Sequence, residues 1–150
     1  MCKKIYKHKF RRIIMKFYKK IILVFIIAFI LNLIWEYSHF NLYFDLSGIP
    51  KHTHLFLATL MDAIIICSIF LVIIFKNQSF DWTKKTKMRD YSWIIVWGLI
   101  IASFIETHAL STGRWMYKEI MPTILGLGLS PLLQLATTGI LTLFILRNFE

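Results

Sequence analysis

Charge is almost missing from four stretches of this chain, at about residues 21–36, 55–75, 91–110 and 124–146. A soluble element keeps one polar face. Four runs near the roughly 20 residues of a bilayer crossing exclude that class. Cysteine is scarce as well: Cys2 lies in a basic tail and Cys67 in the middle of an apolar run, so no disulfide framework, metal-site spacing or redox pair is present. Position 2 holds no glycine for myristoylation, and Cys2 does not follow the apolar stretch a lipoprotein cleavage site needs. The chain has no P-loop, dinucleotide-binding turn, zinc-ribbon spacing or serine or cysteine hydrolase motif.

What remains is apolar. Of 150 residues, 57% are hydrophobic, above the roughly 45–50% of soluble domains. Four crossings and their connections use the whole chain, so the expected fold is all-α: an integral membrane, antiparallel bundle of four transmembrane helices. Residues 21–150 form the transmembrane domain, behind a basic interfacial segment at 1–20. The formal charge is +10, but nine of the 18 basic residues fall in 1–20 and five more in 76–89. Lysine and arginine flanking spans mark the cytoplasmic side, which accounts for the charge without nucleic acid. Both termini and the 76–90 connection are therefore expected in the cytoplasm, with the chain in a bacterial inner membrane.

Tyr6, Phe10, Ile13 and Phe17 recur at helical spacing among lysines and arginines, the pattern of a helix that lies in the headgroup layer and binds anionic lipid headgroups. No small-residue cleavage site follows the first apolar run, so the segment reads as an uncleaved anchor. Trp35, Tyr37, Trp115 and Tyr117 are placed at one membrane boundary, and Trp82, Tyr91 and Trp93 at the other. Ser47-Gly48-Ile49-Pro50 breaks the first helix, Thr53 is available to cap the second, and Ser130-Pro131 reads as the start of the fourth. Counted from Pro131 to Leu146, that helix would span ~24 Å, short of the ~30 Å core. Residues 122–129 are thus expected either as a short re-entrant or interfacial piece or as part of a span kinked at Pro131.

Three acids interrupt the runs: Glu36, Asp62 and Glu106. A carboxylate within a span costs several kcal/mol unless protonated, paired or hydrated, so these are the candidate catalytic residues. Asn32, Glu36 and His39 are four and three apart and share a face if the first helix continues past Trp35, with Tyr43 extending the stripe. Gln134, Thr138 and Thr142 form a stripe on the fourth helix, and Gly98 and Ala102 lie below Glu106 on a face that lets another helix approach. Asn32, His39, Arg114 and Gln134 are the candidate substrate-binding residues. Arg114 either holds an anion together with the fourth helix's N-terminus, pairs with Glu106, or reaches for water. No metal site is favoured; the weaker alternative is His39, Asp62, Glu106 and His108, although Glu106 and His108 are two apart and diverge on a regular helix. His52 and His54 are expected in solvent, and Cys67 as a small packing residue.

Trp35-Glu36, then Glu106-Thr107-His108-Ala109-Leu110, Thr112-Gly113-Arg114-Trp115-Met116-Tyr117, Met121-Pro122 and Ser130-Pro131-Leu132-Leu133-Gln134 resemble a set of small bacterial four-helix integral membrane proteins without an assigned activity. The resemblance covers most of the chain after residue 30 and implies no role for any residue. Three functions stay open. One is a membrane enzyme acting on a lipid-like substrate of the outer leaflet through carboxylate acid–base groups. The others are a small proton- or cation-coupled transporter, and a non-catalytic subunit of an oligomer or larger membrane assembly. No cofactor is named by any motif.

Overall fold

The computed structural model describes residues 2–44, 50–79 and 82–149. It is 81% helical, and its four long helices are each apolar and long enough to cross a membrane. Helix α1 runs Cys2–His39, α2 Lys51–Asn77, α3 Met88–Ser111 and α4 Leu129–Asn148, with short 3₁₀ turns at Phe40–Leu42 and Trp82–Lys85. The basic segment is continuous with the first span: 38 residues of helix extend ~57 Å, well beyond the hydrocarbon thickness of ~30 Å. The side chains of Tyr6, Phe10 and Ile13, and the Ser47–Ile49 part of the proposed break, lie outside the described residues.

The helices pack in chain order around a ring: α1 against α2 and α4, and α3 chiefly against α4. The seam between α2 and α3 is the loosest. The outer surface is apolar, as lipid contact demands. On α1 a ridge of Ile22, Ile26, Ile30 and Ile34 repeats every fourth residue and stays 47–63% exposed, while Phe75 and Phe104 project from α2 and α3. Inward, Ile66, Phe70, Ile73, Ile94 and Leu143 fill the centre of the bundle.

Two ends result. The basic end carries both termini and the α2–α3 connection. There Asp90 is buried; its carboxylate accepts bonds from Asn77 Nδ2 at 2.9 Å and from the Lys87 backbone N–H at 3.0 Å, which fixes the entry into α3. Trp82, expected at a membrane boundary, is instead buried edge-on against Phe70, 5.6 Å between ring centres. The ring needs apolar contact more than a headgroup neighbour, and the short connection delivers it to the core.

The opposite end, the loop end, carries 40–50 and 112–128. Helix α2 begins at Lys51 behind Pro50, four residues earlier than expected, so Thr53 lies inside the first turn and caps nothing. Residues 122–129 are not part of a kinked fourth helix; they make a short hairpin ahead of it. Thr123–Ile124 and Leu127–Gly128 pair as antiparallel strands β1 and β2. The two-residue turn between them puts Leu125 and Gly126 at φ of 52° and 82°, the geometry that a twisted hairpin requires. Helix α4 then starts at Leu129 with Gly128 as its cap. Its 20 residues reach ~30 Å, enough to span without a second piece.

Helices α3 and α4 approach most closely at Gly98. A methyl group there would stand 2.7 Å from the backbone N and 2.9 Å from the Cα of Ala136. Gly98→Ala gains about 1 kcal/mol of helix propensity, but overpacking against backbone, which cannot rotate aside, costs about 1–3 kcal/mol. The variant is expected to unfold at lower temperature than the parent in detergent. Equal or higher stability would mean that the two helices do not pack this tightly.

Candidate functional site

The polar stripes expected on α1, α2 and α4 meet in the loop-end half of the bundle, and the residue that joins them is Gln134. Asn32, Glu36 and His39 all turn inward and are 0%, 8% and 6% exposed. From α4, the Gln134 side-chain amide donates toward three oxygens: Asp62 Oδ2 at 2.7 Å, Glu36 Oε1 at 2.8 Å and Asn32 Oδ1 at 3.2 Å. An amide has two N–H groups. The two shorter contacts are those to carboxyls, so the acids take the donors and Asn32 the remainder. Two oxygens held by one nitrogen are neighbours, which brings the Glu36 and Asp62 carboxyls side by side. Asn32 is held in turn by its own Nδ2 donating to the Ala28 carbonyl at 2.9 Å.

His39 extends the cluster toward the loop end. Its Nε2 lies 3.4 Å from Glu36 Oε2, and its Nδ1 lies 2.8 Å from the Ser130 hydroxyl. A serine read from sequence as the α4 cap thus leaves the helix terminus and orients a histidine instead.

Glu106 does not join the pair. Its carboxylate accepts bonds from the Tyr117 hydroxyl and, at 3.3 Å, from Trp115 Nε1. The Gly128 backbone N–H donates to the same Tyr117 hydroxyl at 2.9 Å. The strap that carries these rings is sewn to the end of α1: Phe44 N–H bonds the Met116 carbonyl at 3.1 Å, Lys118 N–H bonds the Leu42 carbonyl at 2.9 Å, and Tyr43 pairs with Tyr117. Both tyrosines lie in the connections outside the spans. Burial raises the Tyr43 phenol well above its ordinary value, with Glu106 and Tyr117 adding to the effect. Burial likewise raises Tyr117, and its bond to Glu106 reinforces the shift.

A cavity of about 380 Å³ lies over these groups, within the roughly 300–1,000 Å³ of small-molecule sites. Glu36, Asp62, Glu106 and Gln134 contribute to its polar side, and His54 and Arg114 line it from the loop end. Its remaining wall is apolar, including Leu57, Met61 and Ile65 from α2 and Ala102 and Ile105 from α3. His54 therefore belongs to the site rather than to solvent; it is half-buried with its ring 6.3 Å from that of Trp115. His52 is exposed, with Nδ1 2.8 Å from the Tyr37 hydroxyl.

Two expectations about Arg114 change. It does not pair with Glu106, whose bonds come from Trp115 and Tyr117, and it makes no ion pair among the described residues. At the α4 terminus two of the donors that could hold an anion beside it are already taken: the Gly128 N–H bonds Tyr117 and the Leu129 N–H bonds the Pro122 carbonyl at 2.8 Å. The weaker metal set does not assemble either. His108 is exposed and is not part of the cavity wall, because two residues of helix turn it away from Glu106. Among the described residues, no group of three histidine, cysteine or acidic side chains is placed to hold a metal ion.

Sequence reasoning missed Ser130, Trp115 and Tyr117 as partners of the site. Helical spacing carries no signal for them: Ser130 is 91 positions from His39, and Tyr117 reaches Glu106 across a loop, 11 positions away.

Gln134→Leu leaves Glu36, Asp62 and Asn32 without their common donor, and is expected to destabilise the protein by about 1–3 kcal/mol, read as thermal unfolding in detergent. The raised Tyr117 predicts an alkaline effect. Between the ordinary phenol value near 10 and its folded value, the unfolded chain has released the proton and the folded one keeps it. Stability is therefore complete below about pH 10 and falls as pH rises above it. Tyr117→Phe is expected to flatten that fall; an unchanged slope would separate the phenol from the alkaline transition.

No protein family, no curated protein and no solved structure matches the chain, so the reading of the site rests on its own geometry.

Proposed function

We propose that this protein is a membrane enzyme that carries out acid–base chemistry on a lipid-like substrate, with Glu36 and Asp62 as its reacting pair. The observation behind this reading is the meeting of two carboxyls on one amide donor at the polar side of a ligand-sized cavity. Two carboxyls side by side at the wall of a substrate-sized cavity can serve as an acid and a base at one point. Asp62, the more exposed of the two, meets the substrate. Glu36, backed by His39 and Gln134, takes up or returns a proton. Glu106, already satisfied by two ring donors, shapes the site rather than reacting. Arg114, at the loop-end rim and without an ion-pair partner among the described residues, holds an anionic part of the substrate.

The interior beyond the pair favours this reading over transport. Below Asn32 the described buried side chains are mostly apolar, with Ile66, Phe70, Ile73, Ile94 and Leu143 fully or nearly fully buried. Thr138 and Thr142 bond carbonyls of their own helix, and Thr138 also reaches Asn32 Oδ1 at 3.2 Å. A polar site that ends on an apolar floor suits catalysis better than passage. The charge distribution supports a bacterial inner membrane with both termini in the cytoplasm, which puts the cavity in the outer leaflet. The basic N-terminal segment would lie near anionic lipid headgroups.

The test compares lipid pools in cells that lack the protein, or that carry it intact, as Glu36→Gln or as Asp62→Asn. General acid–base groups contribute about 10²–10⁴-fold to rate, so each variant is expected to reproduce the pools of the deletion strain while folding normally. Pools identical in all four strains would rule out the enzyme.

A further inference from the structure

The cavity wall and the lipid-facing surface share residues on one side of the molecule. Leu57 and Met61 both line the cavity, and both remain about half exposed, at 51% and 55%. They sit one turn apart on α2, on the side toward α3, from which Ala102 and Ile105 complete the apolar wall. The helices on either side are tied together at the opposite, basic end. There Asn77 donates to Asp90, and the Lys76 ammonium sits 4.3 Å from the centre of the Trp93 ring. Over their whole length α2 and α3 touch less than any other neighbouring pair in the ring. They are tied at the base, and nearer the loop end residues of both line the cavity.

From this the geometry points to a lateral portal between α2 and α3. Through it an anionic, acyl-chain lipid enters from the bilayer, lays its chain along Leu57, Met61, Ile65 and Ile105, and sets its head against Arg114. The inference rests on the reading of the site as one for a lipid-like substrate and adds the substrate's charge, its orientation and its route. Charge decides the head. The rim offers Arg114, and Lys51 stands 4.1 Å over the ring of Phe40, another rim residue. The acids, by contrast, lie deeper and are occupied by Gln134, Trp115 and Tyr117. Polarity decides the chain, because no charged side chain interrupts the α2–α3 wall between Leu57 and Met61 or between Ala102 and Ile105, and the two hydroxyls there, Thr59 and Ser103, bond the Leu55 and Leu99 carbonyls of their own helices at 2.8 Å. A water-soluble substrate would have no use for an apolar wall that opens into hydrocarbon.

The portal is tested with the full chain in phosphatidylcholine nanodiscs doped with a phosphatidylglycerol that carries a photoreactive diazirine near the end of one acyl chain. Adducts are mapped by mass spectrometry. The expected labelling falls on Ile65 and Ile105 and is saturable, competed away by unlabelled phosphatidylglycerol. Labelling of the exposed ridge at Ile26 and Ile30 should rise in proportion to probe and resist competition. Arg114→Ala is expected to weaken the saturable signal about tenfold for the anionic probe and to leave a phosphatidylcholine probe of the same chain unchanged. Ala58→Trp, which fills the gap from α2, is expected to remove the signal for both; thermal unfolding verifies that each variant is folded. Labelling that is uniform over all lipid-facing helices, or indifferent to Arg114, overturns the portal. The two proposals separate cleanly. Saturable labelling alongside lipid pools unaffected by Glu36→Gln and Asp62→Asn sustains the lipid site and ends the catalytic reading. Pools that depend on the carboxyls without saturable labelling do the reverse.

Discussion

A polar cluster among apolar helices must find most of its hydrogen bonds within the protein, and here one amide joins three of its members. Gln134 donates to Asp62 and Glu36 and lies against Asn32, so one side chain of α4 ties together α1 and α2. A carboxyl left unpartnered at that depth would cost several kcal/mol. The three helices must therefore hold their rotation and height to within hydrogen-bond distance. Apolar contact alone would not impose this, since lipid tails compete for it on nearly equal terms.

The same requirement explains the close seam between α3 and α4. A helix with Gly98 facing Ala136, and Gly139 facing Ile94, lets the backbones approach nearer than ordinary side chains permit. Helix α3 gains from α4 the packing that it lacks from α2. Glu106, carried on α3, then finds its donors in the strap 112–128 instead of in the central cluster. The outcome is two classes of acid in one cavity: a side-by-side pair deep in the bundle, and a single carboxylate locked to the rings that cover the loop end. Their surroundings differ because their donors differ: Glu36 and Asp62 share one amide, whereas Glu106 is held in place by two rings.

Much of this was readable from residue order. The four crossings, the bundle, the inward face of Asn32, Glu36 and His39, and the small-residue face of Gly98 all follow from periodicities of three to four residues, which a helix converts directly into geometry. The division of the acids was not readable. Nothing in the spacing of Glu36, Asp62 and Glu106 says which two will come together, because that depends on how three rods rotate against one another. Proline and serine at 130–131 misled in the same way. They carry a strong local preference for a helix start, yet the start moved to Leu129 once Gly128 could close a hairpin against Tyr117 and Pro122. Trp82 repeated the pattern: an aromatic near a membrane boundary was taken into the core because a short connection held it there.

The residues in their order determined four helices long and apolar enough to cross a membrane, and an inward face for Asn32, Glu36 and His39, because hydrocarbon penalises an acid left among lipid tails. Tertiary structure alone decided that Gln134 is the common donor, that Ser130 orients His39, that Tyr117 secures Glu106, and that residues of α2 and α3 line one cavity. Each of these joins groups on different helices or across a loop. A contact of that kind is set by how the helices pack, and no repeat along a single strand of sequence encodes it.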